Sequence, residues 1–225
     1  MCQSCRVTIA ATLFDMDGLL IDSEVLWHQA EVEILGALGV PIFDSSTRST
    51  KGVFINEVVE NWYVRYPWSG PNVDEVVAML EARVGSLVET EGRLLPGALR
   101  AIDLTSERGP IALASSTPLA LINRSLEHFD LTERFASVHS AEFEPYGKPH
   151  PGVFLTAASS LGVAPKRCLV FEDSTAGVIA ARAASMNVVA VPAPVDRDEV
   201  EYLLADVVLD SLEDLSPDWL DEQYA

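Results

Sequence analysis

The sequence predicts a doubly wound, Rossmann-like α/β fold, a parallel sheet with helices on both faces, and a helical cap inserted after its first strand. Three observations predict it. Short, near-continuous apolar runs recur along the 225 residues and alternate with longer stretches of helical spacing, as expected of strands buried on both faces. The alternation lapses once, from about residue 23 to residue 94, where three helical stretches follow one another without a good strand. Acidic, hydroxyl and lysine side chains stand just beyond the ends of successive runs, at the edge of such a sheet where ligands bind.

Val7 to Phe14 is the first strand candidate, ending at Asp15. Helical stretches follow at roughly 24–38, 55–66 and 74–90, and Asn72 with Glu75 three residues on resembles a capping box. Ile111 to Ala114 is the second strand. Thr117-Pro118 opens the next helix as N-cap and first-turn proline, with Leu119, Ile122, Leu126 and Phe129 at helical spacing. Cys168 to Phe171 is the third strand, Ala176 to Ser185 a helix, Val188 to Val191 the fourth strand and Val207 to Leu209 a short fifth. The acidic stretch from Asp206 to Asp221 reads as a solvated end. The division is therefore a core of residues 1–22 and 95–225 and a cap of residues 23–94.

Composition narrows the partners. With 48% hydrophobic and 22% charged residues the chain is globular rather than disordered. Its 15 Lys and Arg face 34 Asp and Glu, a formal charge of −19. Nucleic-acid backbones and anionic membranes are bound through excess basic charge, so neither is an expected partner. A phosphorylated small molecule would need local help from a metal ion, a lysine or a helix N-terminus. No uncharged apolar run approaches the roughly 18 residues of a membrane span, and the start lacks a secretory layout. Cys2 and Cys5 form a lone CxxC with no second pair for zinc, and Cys168 sits in an apolar run. Three such cysteines suit a reducing cytoplasm, and a monomer is expected.

Phe14-Asp15-Met16-Asp17-Gly18 ends the first strand. Alternate side chains of an extended backbone share a face, so Asp15 and Asp17 point one way and Met16 the other. Gly18 permits a sharp exit. The second strand runs into Ser115-Ser116-Thr117, a hydroxyl and helix-start N–H groups suited to an anion. Lys148 lies in Tyr146-Gly147-Lys148-Pro149-His150-Pro151, a segment stiffened by proline, where His150 reads as structural. The third strand ends in Glu172-Asp173. Solvated acids, helix caps and an exposed lysine would explain each feature alone. Together, at successive strand ends, they form a setting for Mg2+, which takes hard oxygen ligands, waters and a substrate phosphate.

On these residues the sequence resembles the haloacid dehalogenase-like superfamily of phosphotransferases. Its four motifs correspond to the DxDG of 15–18, Ser115, Lys148 and the Glu172-Asp173 pair, and the likeness spans nearly the whole chain. Phe14 to Glu24 looks like the sugar-phosphatase branch. The cap stretch Trp62 to Pro71 is similar to phosphatases of hexitol and deoxyhexose phosphates within it. The resemblance implies a Mg2+-dependent phosphatase of small sugar or hexitol monophosphates such as 2-deoxyglucose 6-phosphate. Asp15 would be the nucleophile and Asp17 the acid and base. Asp15, Met16, Asp17, Ser115, Ser116 and Lys148 would bind substrate, and Asp15, Asp17, Asp173 and Glu172 would make up the metal site.

Two alternatives share parts of this pattern. Phosphoglucomutases of the same build carry a cap histidine where Trp27 stands and a cap arginine near Ile55, and neither is present. Receiver modules also place Asp, Ser/Thr and Lys on a doubly wound sheet, but they are about half this length and lack the second acid. Of the cap aromatics Trp27, Trp62, Tyr63, Tyr66 and Trp68, only Trp27 follows the first motif closely enough to overhang the site. The others suit core packing.

Overall fold

The computed structural model describes residues 8–42 and 51–224. The Cys2/Cys5 pair and Val7, the expected start of the first strand, lie outside them. Strands β1 (Ala11–Phe14), β2 (Ile111–Ser115), β3 (Ser137–Ser140), β4 (Cys168–Glu172), β5 (Asn187–Ala190) and β6 (Val207–Val208) form one parallel sheet in the order β3-β2-β1-β4-β5-β6. Chain order runs outward from β1 on one side and from β4 on the other, so the switch point lies between these two central strands.

The apolar runs are continuous because both faces are covered. In β1, Leu13 faces one hydrophobic cluster and Phe14 the other, and Val170 and Phe171 divide the same way in β4. Helices α4 (Ala98–Ser106), α5 (Leu119–His128) and α8 (Pro217–Tyr224) cover the Phe14 side, where Phe14 and Phe171 stack with ring centroids 5.0 Å apart. Helices α6 (Gly152–Ser160) and α7 (Thr175–Ala183) cover the Leu13 side. Cys168 is buried within that layer, as its apolar run predicts.

Helices α1 (Glu24–Ala37), α2 (Ile55–Arg65) and α3 (Val73–Glu91) enclose a third cluster of their own, which reaches Leu121 of α5. Trp62 and Trp68 are buried in it, while Tyr63 and Tyr66 are exposed. Asn72 and Glu75 form the expected capping box at the start of α3. The two connections to this helical layer run side by side. Ile21 bridges Leu94 antiparallel, the Asp22 N–H donates to the Arg93 carbonyl, and the Leu95 N–H donates to the Leu20 carbonyl.

Three expectations change. Thr117 does not cap α5: Pro118 is the capping residue, with no side-chain bond, because the Thr117 hydroxyl is drawn to Asp17 instead. Strand β3 is an edge strand with the sequence Ser-Val-His-Ser, too polar to read as an apolar run. The acidic C-terminal stretch is not merely solvated. Leu212, Leu215 and Leu220 are buried against the sheet, and the charged residues lie between them. Leu220 is wholly buried, so Leu220→Ala should cost about 2–5 kcal/mol of unfolding free energy in chemical denaturation. A loss below about 0.5 kcal/mol, as at a solvated site, would show that α8 is peripheral.

Candidate active site

Register assembles the site. Phe14 pairs with Leu113 on one side and Phe171 on the other, and the Asp15 N–H donates to the Phe171 carbonyl at 3.1 Å. The residues just beyond these pairs therefore meet at the carboxyl edge of the sheet. Asp15, Ser115, Ser116, Lys148, Glu172 and Asp173 are all buried there.

Lys148 is the centre of this group. Its Nζ donates to Asp15 Oδ1 at 2.5 Å, Glu172 Oε1 at 2.5 Å and the Ala114 carbonyl at 3.1 Å, which uses all three of its donors. The Lys148-Pro149 peptide is cis. Burial alone would depress the ammonium's pKa, but Asp15 and Glu172 outweigh it and hold the pKa above the ordinary value. The other Glu172 oxygen accepts from the Asp173 N–H, the Ser174 N–H and the Ser174 hydroxyl at 3.0–3.1 Å. Glu172 thus ties Lys148 to the start of α7.

Asp15 and Asp173 experience the opposite imbalance. Burial is the main cause that raises the Asp15 pKa; Lys148 opposes it, and Glu172, Asp173 and Asp17 add to it. Asp173 is likewise pushed up to about 7, first by burial. Asp15, Glu172 and Asp173 each offer an oxygen within 4.8 Å of the other two. Such a buried cluster of acids calls for a cation, and hard carboxylate oxygens suit a divalent one. Gly18, at φ +74°, keeps the space beside the Asp173 carboxylate open, since a Cβ there would collide with Oδ2. The residues fit a divalent metal.

A cation already marks the place. Lys51, which enters from the segment before α2, sets its Nζ 2.6 Å from Asp173 Oδ2 and 3.7 Å from Asp196 Oδ2. Next to it, the Gly52 carbonyl accepts from the Ser116 hydroxyl at 2.6 Å. Lys51 was not singled out from the sequence. Nothing in its local pattern shows that the helical layer will carry it onto the sheet edge.

Asp17 sits differently. Its Oδ1 accepts from the Ser23 hydroxyl at 2.5 Å and Trp27 Nε1 at 3.3 Å, and its Oδ2 from the Thr117 hydroxyl at 2.6 Å. It therefore joins α1 to the start of α5. Trp27 overhangs the site as its position predicts, and Met16 turns into the core. The expected anion site at the start of α5 is narrower than the sequence implies. The Thr117 N–H donates to Ser115 Oγ at 3.2 Å, and the Leu119 N–H to Glu142 Oε2 at 2.6 Å. His150 is structural, accepting from the Gly152 N–H.

A cavity opens above Asp15 toward the helical layer, whose wall includes Glu24, Trp27, His28, Glu31 and Ile55. Burial pushes the carboxyls of Glu24 and Glu31 up to about 7. Between pH 4.5 and 7 the folded chain holds protons there that the unfolded chain releases, so stability falls as pH rises through this window. In EDTA, the melting temperature of the wild type should decline across this range relative to that of the Glu24→Gln/Glu31→Gln variant. Parallel curves for the two proteins would rule out the assignment.

Comparison with known proteins gives the same site a context. The model of the haloacid dehalogenase-like hydrolases matches residues 9–185. Hexitol phosphatase B of Escherichia coli strain K12 is 47% identical over 92% of this chain and 95% of its own length. A probable pseudouridine-5'-phosphatase of Drosophila melanogaster is 33% identical over 92% of this chain and 91% of its own. Among solved structures, a β-phosphoglucomutase from Clostridium difficile superposes with a TM-score of 0.81 at 27% identity, covering 96% of this chain and 97% of that one. No described helix is long and apolar enough to cross a membrane.

Proposed function

Because the chain belongs to the haloacid dehalogenase-like hydrolases and is a phosphatase, we propose that it hydrolyses small sugar and hexitol monophosphates, with Mg2+, through a phosphoryl group carried on Asp15. The observation that carries this reading is the position of Asp15. It lies at the floor of a cavity whose opposite wall is formed by α1, in a chain nearly half identical to a hexitol phosphatase.

In the first half of the reaction an Asp15 oxygen bonds to phosphorus as the bond to the sugar oxygen breaks. Asp17 gives its proton to that departing oxygen. Water then attacks the phosphoryl group, Asp17 takes a proton from it, and phosphate leaves with Asp15 restored. The Ser115 hydroxyl and the Ser116 N–H hold phosphate oxygens, together with the Met16 and Asp17 backbone. Lys148 joins them by exchanging one of its three acceptors. Asp15, Asp173 and the Asp17 carbonyl would hold the Mg2+, with Glu172 beside it, and the ion would supply positive charge to offset that of the phosphoryl group.

Three donors, Ser23, Trp27 and Thr117, orient the Asp17 carboxyl and leave one lone-pair position on Oδ2 for the reacting oxygen. Two of these belong to the entry into α1, so movement of the helical layer and the orientation of Asp17 are coupled. Residues 23–94 act as a cap in this reading, turning about the paired connections at Ile21 and Leu94 and excluding water before phosphoryl transfer. Hydrolysis is favoured over mutase turnover by the cap face. Trp27 stands where mutases of this build carry a histidine, and Ile55 near where they carry an arginine, although His28 lines the same wall one position on.

A phosphate-release assay over a substrate panel tests this reading. Hexitol phosphates and 2-deoxyglucose 6-phosphate should be hydrolysed well above nucleoside monophosphates, and EDTA should abolish the activity. Asp15→Asn should reduce turnover to background with an unchanged fold by circular dichroism. Asp17→Asn should lose about 10²–10⁴-fold. Nucleotides as the best substrates would overturn the substrate reading, and substantial turnover by Asp15→Asn would overturn the covalent one.

A further inference from the structure

Glu31 has no part in the chemistry described, yet its placement is costly. It lies on α1 and is 5% exposed. It lines the cavity together with Trp27 and His28, one turn earlier on the same helix. Its Oε2 has no hydrogen-bond partner among the described residues. A buried carboxyl lacking a donor destabilises the fold. Leucine at this position would instead extend the cluster formed by Leu26, Leu35 and Leu80. Burial raises its pKa, as expected of a carboxyl with one oxygen that has no donor among the described residues.

Its distance from the chemistry is informative. Helix α1 is tied to Asp17 at its start, where the Ser23 hydroxyl and Trp27 Nε1 both donate to Asp17 Oδ1. Glu31 is one turn farther, about 6 Å along the helix axis. That is the span of several carbons beyond the phosphate ester oxygen, where a sugar or hexitol carries hydroxyls. Hydroxyls are donors that match an unpaired carboxyl, whereas a second phosphate or a carboxylate would meet Glu31 and Glu24 as like charges. Lys51, a cation on the same cavity wall, is already engaged by Asp173 and Asp196.

We propose that Glu31 is a specificity residue that accepts hydrogen bonds from hydroxyls at the non-reacting end of the substrate, reserving the cavity for monophosphates of neutral polyols over bisphosphates. This rests on the sugar-phosphate reading of the site. The test compares kcat/KM for a hexitol 6-phosphate with that for phenyl phosphate, which has the same ester but no hydroxyls. Glu31→Leu should lower the hexitol value about tenfold or more, the size of a lost hydrogen bond, and leave phenyl phosphate within about twofold. Its melting temperature should equal or exceed that of the wild type, since an unpaired buried carboxyl has been removed. Glu31→Gln, which keeps the acceptor but not the charge, should retain most of the hexitol activity and bind a hexitol bisphosphate inhibitor more tightly. Parallel losses on both substrates, or an unaltered hexitol value in Glu31→Leu, overturn the role of Glu31 alone. A wild type that cleaves phenyl phosphate but no polyol phosphate overturns the substrate reading and this proposal together.

Discussion

One buried ammonium group holds the carboxyl edge of the sheet together. Lys148 spends its three donors on Asp15, Glu172 and the Ala114 carbonyl, which lie on or just beyond three adjacent strands, β1, β4 and β2. Without it, two carboxylates would face each other in a low-dielectric interior, where like charges are most costly. With it, the strand tips are held in register by charge as well as by the backbone ladder. The arrangement still leaves Asp15 and Asp173 short of positive charge. That shortfall is the physical basis for a divalent cation, and Lys51 partly fills it from the helical side.

The two walls of the cavity differ in character. The floor carries Asp15 and Asp17 beside the hydroxyls of Ser115, Ser116 and Thr117 at the sheet edge, with the Lys148 ammonium buried behind Asp15. The helical wall bears Glu24, Glu31 and His28 around the Trp27 ring. A ligand suited to both would be charged at one end and rich in neutral hydrogen-bond donors at the other. In a chain of formal charge −19, attraction for a phosphate must be local, because the overall field opposes its approach.

Sequence and structure agree where the controlling interactions are local. β1, β2, β4 and β5 were legible because burial on both faces leaves their runs largely apolar, and Asp15, Ser115, Glu172 and Asp173 because they stand at the ends of such strands, whereas Lys148 lies in the loop before α6. β3 was not, since an edge strand tolerates Ser137 and His139. Helix α6 escaped notice because Gly152–Ser160 is built largely of small residues with little contrast between its faces. Thr117 has the local pattern of a helix cap, and Asp17, a hundred residues away in sequence, competes for its hydroxyl. Lys51 and Glu31 were beyond reach for a related reason. Each gains meaning only from groups far along the chain or from an open space, and neither leaves a local signature.

The paired connections at Ile21 and Leu94 bear on how such a chain can be assembled. Leu20 and Leu95, and Asp22 and Arg93, are hydrogen-bonded neighbours, so the sheet sees the intervening residues as one closed loop whose ends already meet. The entropy of closing a loop grows only with the logarithm of its length, by about 0.6 kcal/mol per doubling. The parallel sheet is therefore nearly indifferent to how much chain lies between those two points. A larger, smaller or wholly different insertion there would leave Asp15, Lys148 and Asp173 in register, so the wall that faces them could be exchanged as a unit while the sheet edge stayed the same.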